Sequence, residues 1–174
     1  MNIQFFDNKV SSVVQNDTFG YAKNAIFRLG WEDSLEPEKY TLNSHSGWTL
    51  DNVKTAGLWD PIQECIQECE FFPSHYVVDR IVVNLVRPCD VHYIHHHKNE
   101  FAVLYYINLE WRDGWHGETL FYNPHNLDEI ICASVYKPGR IILFDGNIPH
   151  AIRPQSVDAP KYRFSVSVFF KNHS

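Results

Sequence analysis

Residues 137–150 have the sequence KPGRIILFDGNIPH, in which the apolar run Arg140–Phe144 is enclosed by Lys137-Pro138-Gly139 and Asp145-Gly146-Asn147. A short apolar run between clusters of turn residues predicts a β-strand. Comparable runs follow one another from residue 75 onward: Tyr76–Val86, Ala102–Leu109, Thr119–Tyr122, Ile130–Tyr136 and Phe164–Phe170. Short strands at this spacing are typical of an all-β sandwich or barrel.

The N-terminal part has a different pattern, which predicts helices and loops. Asn16–Leu29 is predicted as a helix capped by Asn16 or Asp17 and ended by Gly30. Asp60–Glu70 is predicted as a second helix, with Asp60 as the N-cap and Pro61 in the first helical position. Its apolar stripe should pack on a sheet and consists of Ile62, Cys65, Ile66 and Cys69. The polar stretch around Gly47 and Trp48 is predicted as loop.

Helices that precede the strands, instead of alternating with them, disfavour a parallel βαβ sheet. We therefore predict a mainly β chain that folds as a double-stranded β-helix, or jelly roll, with an N-terminal helical layer. No repeat or linker divides the chain, so residues 1–174 are expected to form a single domain. Residues 1–74 would form the helical and loop support and residues 75–174 the barrel core.

The amino-acid composition indicates which kinds of binding partner are unfavourable. The chain has 174 residues, 44% of them hydrophobic, and a formal net charge of -6. The negative charge disfavours broad binding to nucleic acid, which needs clustered Lys and Arg. The four cysteines, which form no C-x-x-C pair, indicate reduced thiols (Cys65, Cys69, Cys89 and Cys132). With neither a signal peptide nor a transmembrane segment recognisable, we expect a cytoplasmic protein without a membrane partner.

The histidines are the strongest functional signal. Ten occur in the chain, four of them within Val91–His97 (VHYIHHH). In an extended strand His95 and His97 would face the same side about 6.6 Å apart, while His96 would face the other. Two imidazoles so placed can bind one metal ion, and His150, after the Arg140–Phe144 strand, is the natural third ligand. An H-x-H pattern alone is also common on protein surfaces, and imidazole suits Fe, Zn, Cu and Ni alike.

Four local patterns, taken in order, resemble the 2-oxoglutarate- and Fe(II)-dependent oxygenases, in particular their prolyl-4-hydroxylase-like branch. Together they span Asp79–Phe170, about half of the chain. They are Tyr93-Ile94-His95-His96-His97; Leu104–Trp111 followed by Gly117–Tyr122; Lys137–Phe144 leading to Pro149-His150; and Arg163-Phe164-Ser165.

This resemblance implies a chemistry and assigns roles. His95, His97 and His150 would hold Fe(II), and Arg163 with Ser165 would bind the far carboxylate of 2-oxoglutarate. Tyr105 or Tyr106 would add a phenol; only one of two adjacent residues can face the barrel interior, and Tyr105 is the one assigned to the co-substrate. The reaction would be hydroxylation of a substrate C–H by O2 with release of succinate and CO2. Peptidyl proline, an amino acid, a nucleotide and a small metabolite all remain open as substrates, with Asn84 and Arg153 as further candidate contacts.

One position departs from the family pattern, because His97 stands where the second ligand is normally Asp or Glu. Fe(II) and dianionic 2-oxoglutarate cancel in charge, so three neutral imidazoles leave the complex neutral, whereas one carboxylate would make it negative. The family's carboxylate-free halogenating sites leave a coordination position open, which an imidazole would fill, so halogenation is not predicted. Glu100 or Asp90 could supply a carboxylate instead.

Two other functions compete. His95-x-His97 followed by Glu100 approximates the cupin H-x-H-x(3,4)-E spacing but is one residue short, so a cupin-type metal dioxygenase that does not use 2-oxoglutarate is the first alternative. A jelly-roll binding module without catalytic activity is the second, and the His97 departure is the reason to keep it.

Overall fold

The computed structural model describes residues 2–30, 44–88, 90 and 92–172. Its helices are α1 (Ser12–Lys23), α2 (Leu50–Thr55) and α3 (Trp59–Glu68). Its strands are β1 (Ile3–Phe6), β2 (Arg28–Leu29), β3 (Ser44–Trp48), β4 (Val77–Val86), β5 (Glu100–Tyr106), β6 (Thr119–Asn123), β7 (Asn126–Ser134), β8 (Ile141–Asp145), β9 (His150–Ile152) and β10 (Arg163–Lys171).

Within these residues the strands form two antiparallel sheets. The larger has the strand order β1-β8-β5-β10-β4-β3-β2, and the smaller the order β7-β6-β9. Phe121 of the smaller sheet packs with Phe144 and Phe169 of the larger one in a cluster between the two. Two facing sheets that enclose a core confirm the predicted jelly roll.

The outer face of the larger sheet is covered by the helices. Val53 of α2 and Ile62 and Cys65 of α3 are fully buried in a cluster with Val103 and Val166 of the sheet. Strand β10 therefore has both faces buried. Alternate residues supply the core under the helices (Phe164, Val166, Val168 and Phe170) and the inner face of the barrel (Arg163, Ser165, Ser167 and Phe169).

The helix boundaries differ from the prediction. Helix α1 begins after Ser11, whose Oγ accepts a hydrogen bond from the Val14 amide (3.3 Å), so neither Asn16 nor Asp17 is its N-cap. It ends at Lys23 and does not extend to Leu29 as predicted, because Arg28 and Leu29 pair with β3 at the edge of the sheet. Helix α3 starts at Trp59 and has no side-chain cap.

Within α3, Asp60 lies in the first turn instead of capping it. A carboxylate there still interacts favourably with the helix dipole. The predicted apolar stripe is confirmed: Ile62, Cys65 and Cys69 are buried, and Ile66 packs against the same cluster.

The N-terminal part contributes strands as well as helices. Strand β1 pairs with β8, and β3, over a segment predicted as loop, pairs with β4. The β3 sequence, Ser-His-Ser-Gly-Trp, has little intrinsic strand preference, so its conformation follows from its neighbour. The first 74 residues therefore do more than support the barrel, since they extend its larger sheet. Residues 31–43 of the predicted loop region, and Cys89, lie outside the described residues.

An ion-pair cluster joins the end of β1 to the turn before β8. Asp7 accepts from Arg140 Nε (2.8 Å) and from Lys137 Nζ (2.8 Å). The Arg140 guanidinium, followed by Lys137 and against the opposing effect of burial, lowers the pKa of Asp7 from 3.8 to about 2. A carboxylate whose pKa falls on folding stabilises the protein above its unfolded value, and this contribution is lost as the pH falls through the folded value.

We expect Asp7→Asn to lower the free energy of unfolding by roughly 0.5–1 kcal/mol at pH 7, since the group is partly exposed and screened. The difference between wild type and variant should shrink between pH 3.8 and 2, where wild-type Asp7 itself becomes protonated. Urea unfolding at several pH values measures both effects. Asp113→Asn, at an exposed aspartate with no ion pair among the described residues, is the control. A pH-independent difference would contradict the prediction.

Candidate active site

Three histidine rings converge at one end of the barrel. The ring nitrogens of His95, His97 and His150 that could bind a metal all lie within 4.8 Å of one another. Their ring centroids are 5.2 Å (His95–His97), 4.4 Å (His95–His150) and 5.2 Å (His97–His150) apart. The structure thus brings together the three residues that the sequence suggested, while the neighbouring His96 is exposed.

Backbone pairing sets this convergence, although not by the regular strand that the sequence argument assumed. His95 and His150 form an isolated antiparallel bridge, with mutual amide-to-carbonyl hydrogen bonds of 3.0 and 2.9 Å. The His97 amide donates to the Gly146 carbonyl (2.7 Å). A Cβ at Gly146 would lie 2.6 Å from the His97 carbonyl oxygen, so only glycine permits this close approach.

Backbone carbonyls orient two of the three rings, and the third has a carboxylate farther away. Nδ1 of His95 lies 3.0 Å from the Tyr93 carbonyl oxygen, and Nδ1 of His150 lies 2.8 Å from the Ile148 carbonyl oxygen. Nδ1 of His97 lies 3.7 Å from Glu100 Oε2. A carbonyl or carboxylate at Nδ1 favours the tautomer with the proton there, which leaves the Nε2 lone pair for a metal.

All three rings are also held neutral. Burial, followed by the neighbouring His95 ring, lowers the pKa of His150 to about 3. Burial is the main cause that lowers the pKa values of His95 and His97 as well, with His150 the next contributor for His97. Neutral imidazoles are the form that binds a metal, so protons compete little with a cation here at neutral pH.

The nearby carboxylates are engaged elsewhere. Glu100 is buried and paired with Arg80 (Nη2–Oε2 2.9 Å) and Lys171 (2.8 Å to Oε1). Asp90 accepts from the Arg87 amide (2.8 Å). Neither belongs to the histidine cluster, which contains only imidazoles among the described residues.

Arg163 is a fully buried cation on the inner face of β10. Its Nε donates to the Gly117 carbonyl (3.1 Å), and its guanidinium carbon lies 4.6 Å from the Tyr136 ring centroid and 5.2 Å from that of Tyr106. Its Nη1 and Nη2 have no hydrogen-bond acceptor among the described residues, and burial lowers its pKa. Such a cation needs an anionic ligand, because an unpaired buried charge is costly.

The other predicted contact residues differ in where they lie. Ser165 lies two residues from Arg163, is fully buried and has no hydrogen-bond partner at Oγ among the described residues. Tyr105 packs under the helices on the opposite face of the sheet, which corrects its assignment as a co-substrate contact. Tyr106 faces the barrel interior, where its hydroxyl bonds Thr119 Oγ1 (2.7 Å). Arg153 pairs loosely with Glu118 (3.8 Å).

Sequence reasoning gave no role to His92. Both of its ring nitrogens are buried without a hydrogen-bond partner among the described residues. Burial, with the charges of Arg163 and then His95, lowers the pKa of His92 to about 3. Its position in the same His-rich segment, three residues before His95, could have indicated a role. The H-x-H pattern accounts for His95 and His97 only.

A cavity of about 700 Å³ is lined by His95, His97 and His150 and also by Thr119 and Ser165. Thr119 is the hydrogen-bond partner of Tyr106, and Ser165 is two residues from Arg163 on β10. This volume lies within the range of sites for drug-sized ligands.

Solved structures of prolyl hydroxylases resemble this chain over nearly its full length. A prolyl hydroxylase from Trichoplax adhaerens, in complex with a peptide fragment of hypoxia inducible factor, matches 98% of this chain and 84% of its own at a TM-score of 0.70 and 16% identity. The 2-oxoglutarate complex of the viral collagen prolyl hydroxylase from Paramecium Bursaria Chlorella virus-1 matches 98% and 97% at a TM-score of 0.66 and 14% identity.

This chain has the fold of the 2-oxoglutarate- and Fe(II)-dependent oxygenases. HygX from Streptomyces hygroscopicus, solved with nickel and 2-oxoglutarate bound, adds a further match over 99% of this chain and 83% of its own, with a TM-score of 0.70 and 6% identity. No model of a protein family and no curated protein sequence matches the chain. The oxygenase fold is therefore evident from tertiary structure, and its likeness extends over the N-terminal part that the sequence motifs did not cover. Among the described residues, no helix has the length and apolar character needed to cross a membrane.

Proposed function

We propose that this protein is an Fe(II)- and 2-oxoglutarate-dependent dioxygenase that hydroxylates a C–H bond of its substrate. The observation that carries the proposal is the presence, in one barrel, of three convergent neutral imidazoles and a buried guanidinium whose Nη atoms have no acceptor among the described residues. A metal needs the first feature, and the far carboxylate of 2-oxoglutarate needs the second. In the balanced reaction, substrate C–H, 2-oxoglutarate and O2 give the alcohol, succinate and CO2.

The buried polar atoms fit the co-substrate. Nη1 and Nη2 of Arg163 and Oγ of Ser165 are all buried and have no partner in the part of the chain that the structure describes, and one carboxylate would accept from all three. Tyr106 stacks beside the guanidinium and is itself held by Thr119. Arg163 is suited to this role because its planar fork binds a carboxylate bidentately, which Lys cannot do.

The histidines would hold the metal. His95, His97 and His150 each offer one ring nitrogen to a common space, and the carbonyls at Nδ1 of His95 and His150 favour the tautomer that leaves Nε2 for the metal. The bound iron supplies activation of O2 and oxidation of the substrate C–H. The protein's own part is to bind and orient the reactants and to exclude bulk water with the Phe144 and Phe169 rings that pack against the imidazoles.

Anaerobic titration of the Fe(II)-loaded protein with 2-oxoglutarate tests the proposal. Chelation of Fe(II) by the keto acid produces a metal-to-ligand charge-transfer band, and we expect this band to saturate with 2-oxoglutarate. Succinate, which lacks the keto group, is the matched control and should give no band. A protein that binds Fe(II) but gives no band with 2-oxoglutarate would contradict the proposal.

A metal dioxygenase of cupin type that does not use 2-oxoglutarate is the second candidate, because its donor set would be three histidines, as here. The unpaired Arg163 favours the first candidate. Iron-dependent formation of succinate from 2-oxoglutarate separates the two.

The partners and location are part of the same proposal. The substrate is a small molecule or a peptide, with peptidyl proline included because a peptide is bound in one prolyl hydroxylase of this fold. A cytoplasmic location is supported by the free thiols of Cys65, Cys69 and Cys132.

A further inference from the structure

A row of polar side chains crosses the inner face of the larger sheet. Arg28 on β2 lies opposite His45 on β3, and His45 lies opposite Asn84 on β4. Asn84 in turn lies opposite Ser165 on β10, which lies opposite Tyr106 on β5. Residues directly opposite one another face the same side of a sheet, so the five side chains form one line. We call it the polar row.

Three atoms of the polar row are buried without a hydrogen-bond partner among the described residues. They are His45 Nδ1, Asn84 Oδ1 and Ser165 Oγ, and all three residues line the cavity. Buried polar atoms are nearly always hydrogen-bonded in folded proteins. Ser165 is accounted for by the co-substrate, but Asn84 and His45 lie one and two strands farther from Tyr106 than Ser165 does, and they need another ligand.

The chemistry of these atoms limits that ligand. Asn84 Nδ2 donates to Ser167 Oγ (3.3 Å), which leaves Oδ1 as an acceptor directed at the cavity. An acceptor requires an N–H or O–H on the ligand. The His45 ring can donate or accept at Nδ1, according to its tautomer.

The charges along the cavity add a second requirement. Asp79, Arg80, Glu100 and Lys171 pair with one another and have no net charge. Arg28, at the exposed end of the polar row, makes no ion pair with any described residue and lines the cavity. With Arg163 assigned to the co-substrate, Arg28 is a second guanidinium available to an anion.

The length of the polar row sets the size of the ligand. Arg28 on β2 and Ser165 on β10 are separated by three strand spacings, or about 14 Å across the sheet. In the proposed function the co-substrate fills the space between the histidines and Ser165, so a substrate at the polar row must extend from there past Asn84 to Arg28. Such a substrate is elongated, and larger than a free amino acid.

This proposal rests on the proposed function: we propose that the outer part of the polar row, which consists of Arg28, His45 and Asn84, is the substrate-recognition surface. The substrate class is an elongated polar oxyanion, which donates an N–H or O–H to Asn84 and places a carboxylate or phosphate at Arg28.

Two matched pairs of probes test this with nickel-loaded protein saturated with 2-oxoglutarate. One pair is N-acetyl-trialanine and its C-terminal amide; the other is uridine 5′-monophosphate and uridine. Dissociation constants come from ligand-observed NMR. We expect the charged member of at least one pair to bind about fivefold more tightly than its neutral partner. The pair that shows this preference distinguishes a carboxylate from a phosphate.

Variants connect the preference to the polar row. Arg28→Gln should abolish the preference for charge, and Asn84→Ala should weaken both members of the binding pair. Arg112→Gln, at an exposed arginine paired with Glu110, is the control and should change neither. Equal binding of charged and neutral probes, absence of binding by both anions, or a preference that survives Arg28→Gln would overturn the proposal.

The same samples distinguish a failure of the recognition-surface proposal from a failure of the dioxygenase proposal. Binding of 2-oxoglutarate to the nickel-loaded protein is measured first, by calorimetry, in wild type and in both variants. If 2-oxoglutarate does not bind, the dioxygenase proposal fails. If it binds and the probes do not discriminate by charge, only the recognition surface is wrong.

Discussion

His150→Ala should weaken Fe(II) binding by more than about a hundredfold and abolish succinate formation, since even residues behind the ligands of metal sites change affinity by about 10–100-fold. In the proposed site three neutral nitrogens would hold the cation, and the vacated position of His150 is enclosed by Phe121 and Phe144, which offer no replacement donor. Calorimetry with Fe(II) under anaerobic conditions gives the affinity, and a 2-oxoglutarate turnover assay gives the activity.

His96→Ala is the matched control for this loss. The His96 ring is exposed and lies between two proposed ligands in sequence, so the variant should keep wild-type affinity and turnover. His97→Asp restores the carboxylate that the resembled family carries, and should bind Fe(II) at least as tightly as wild type because an anionic donor adds charge attraction. If His150→Ala kept its metal while His96→Ala lost it, the ligand assignment would be wrong.

Arg163→Met should separate co-substrate binding from stability. Loss of the guanidinium should weaken 2-oxoglutarate binding by roughly 2–4 kcal/mol, or about 30- to 1000-fold, which is typical when one partner of a buried charge pair is removed. The free energy of unfolding of the ligand-free protein should fall by less than about 1 kcal/mol or rise, because Met fills similar volume and removes an unpaired buried charge.

Two measurements and two controls test this prediction. Calorimetry gives the 2-oxoglutarate affinity, and urea unfolding without ligand gives the stability. Arg163→Lys should recover only part of the affinity, since an ammonium cannot bind both carboxylate oxygens in one plane. Arg112→Met, at an exposed position, should leave 2-oxoglutarate binding unchanged. Unchanged affinity in Arg163→Met, or a loss of several kcal/mol of stability, would show that the guanidinium is structural.

Short sequence motifs predicted most of the residues of the candidate site. The order of the H-x-H segment, the distal His150 and the R-x-S pair suggested a site before any coordinates, and the structure brings the three rings within reach of one ion. It also brings Arg163 to the inner face of the barrel. The metal and co-substrate roles of these residues stay predictions, to be decided by the variants above.

Register decided what local pattern could not. Tyr105 and Tyr106 are adjacent and equally aromatic, and only the pairing of Ser165 with Tyr106 places the second inside the barrel. A shift of one residue in that pairing would exchange them, because alternate residues of a strand face opposite sides. The assignment of Tyr105 was wrong for this reason.

By itself, the sequence determined the strand-rich half, the apolar stripe of α3 and the identity of the clustered histidines. These depend on periodicity and turn residues within short segments, where each residue's preference acts locally. Only the tertiary structure decided that Ser44–Trp48 is a strand, that His92 is buried near Arg163, and that Arg28, His45 and Asn84 lie in one row. Hydrogen bonds between strands distant in sequence set those features, and no short segment encodes its partner.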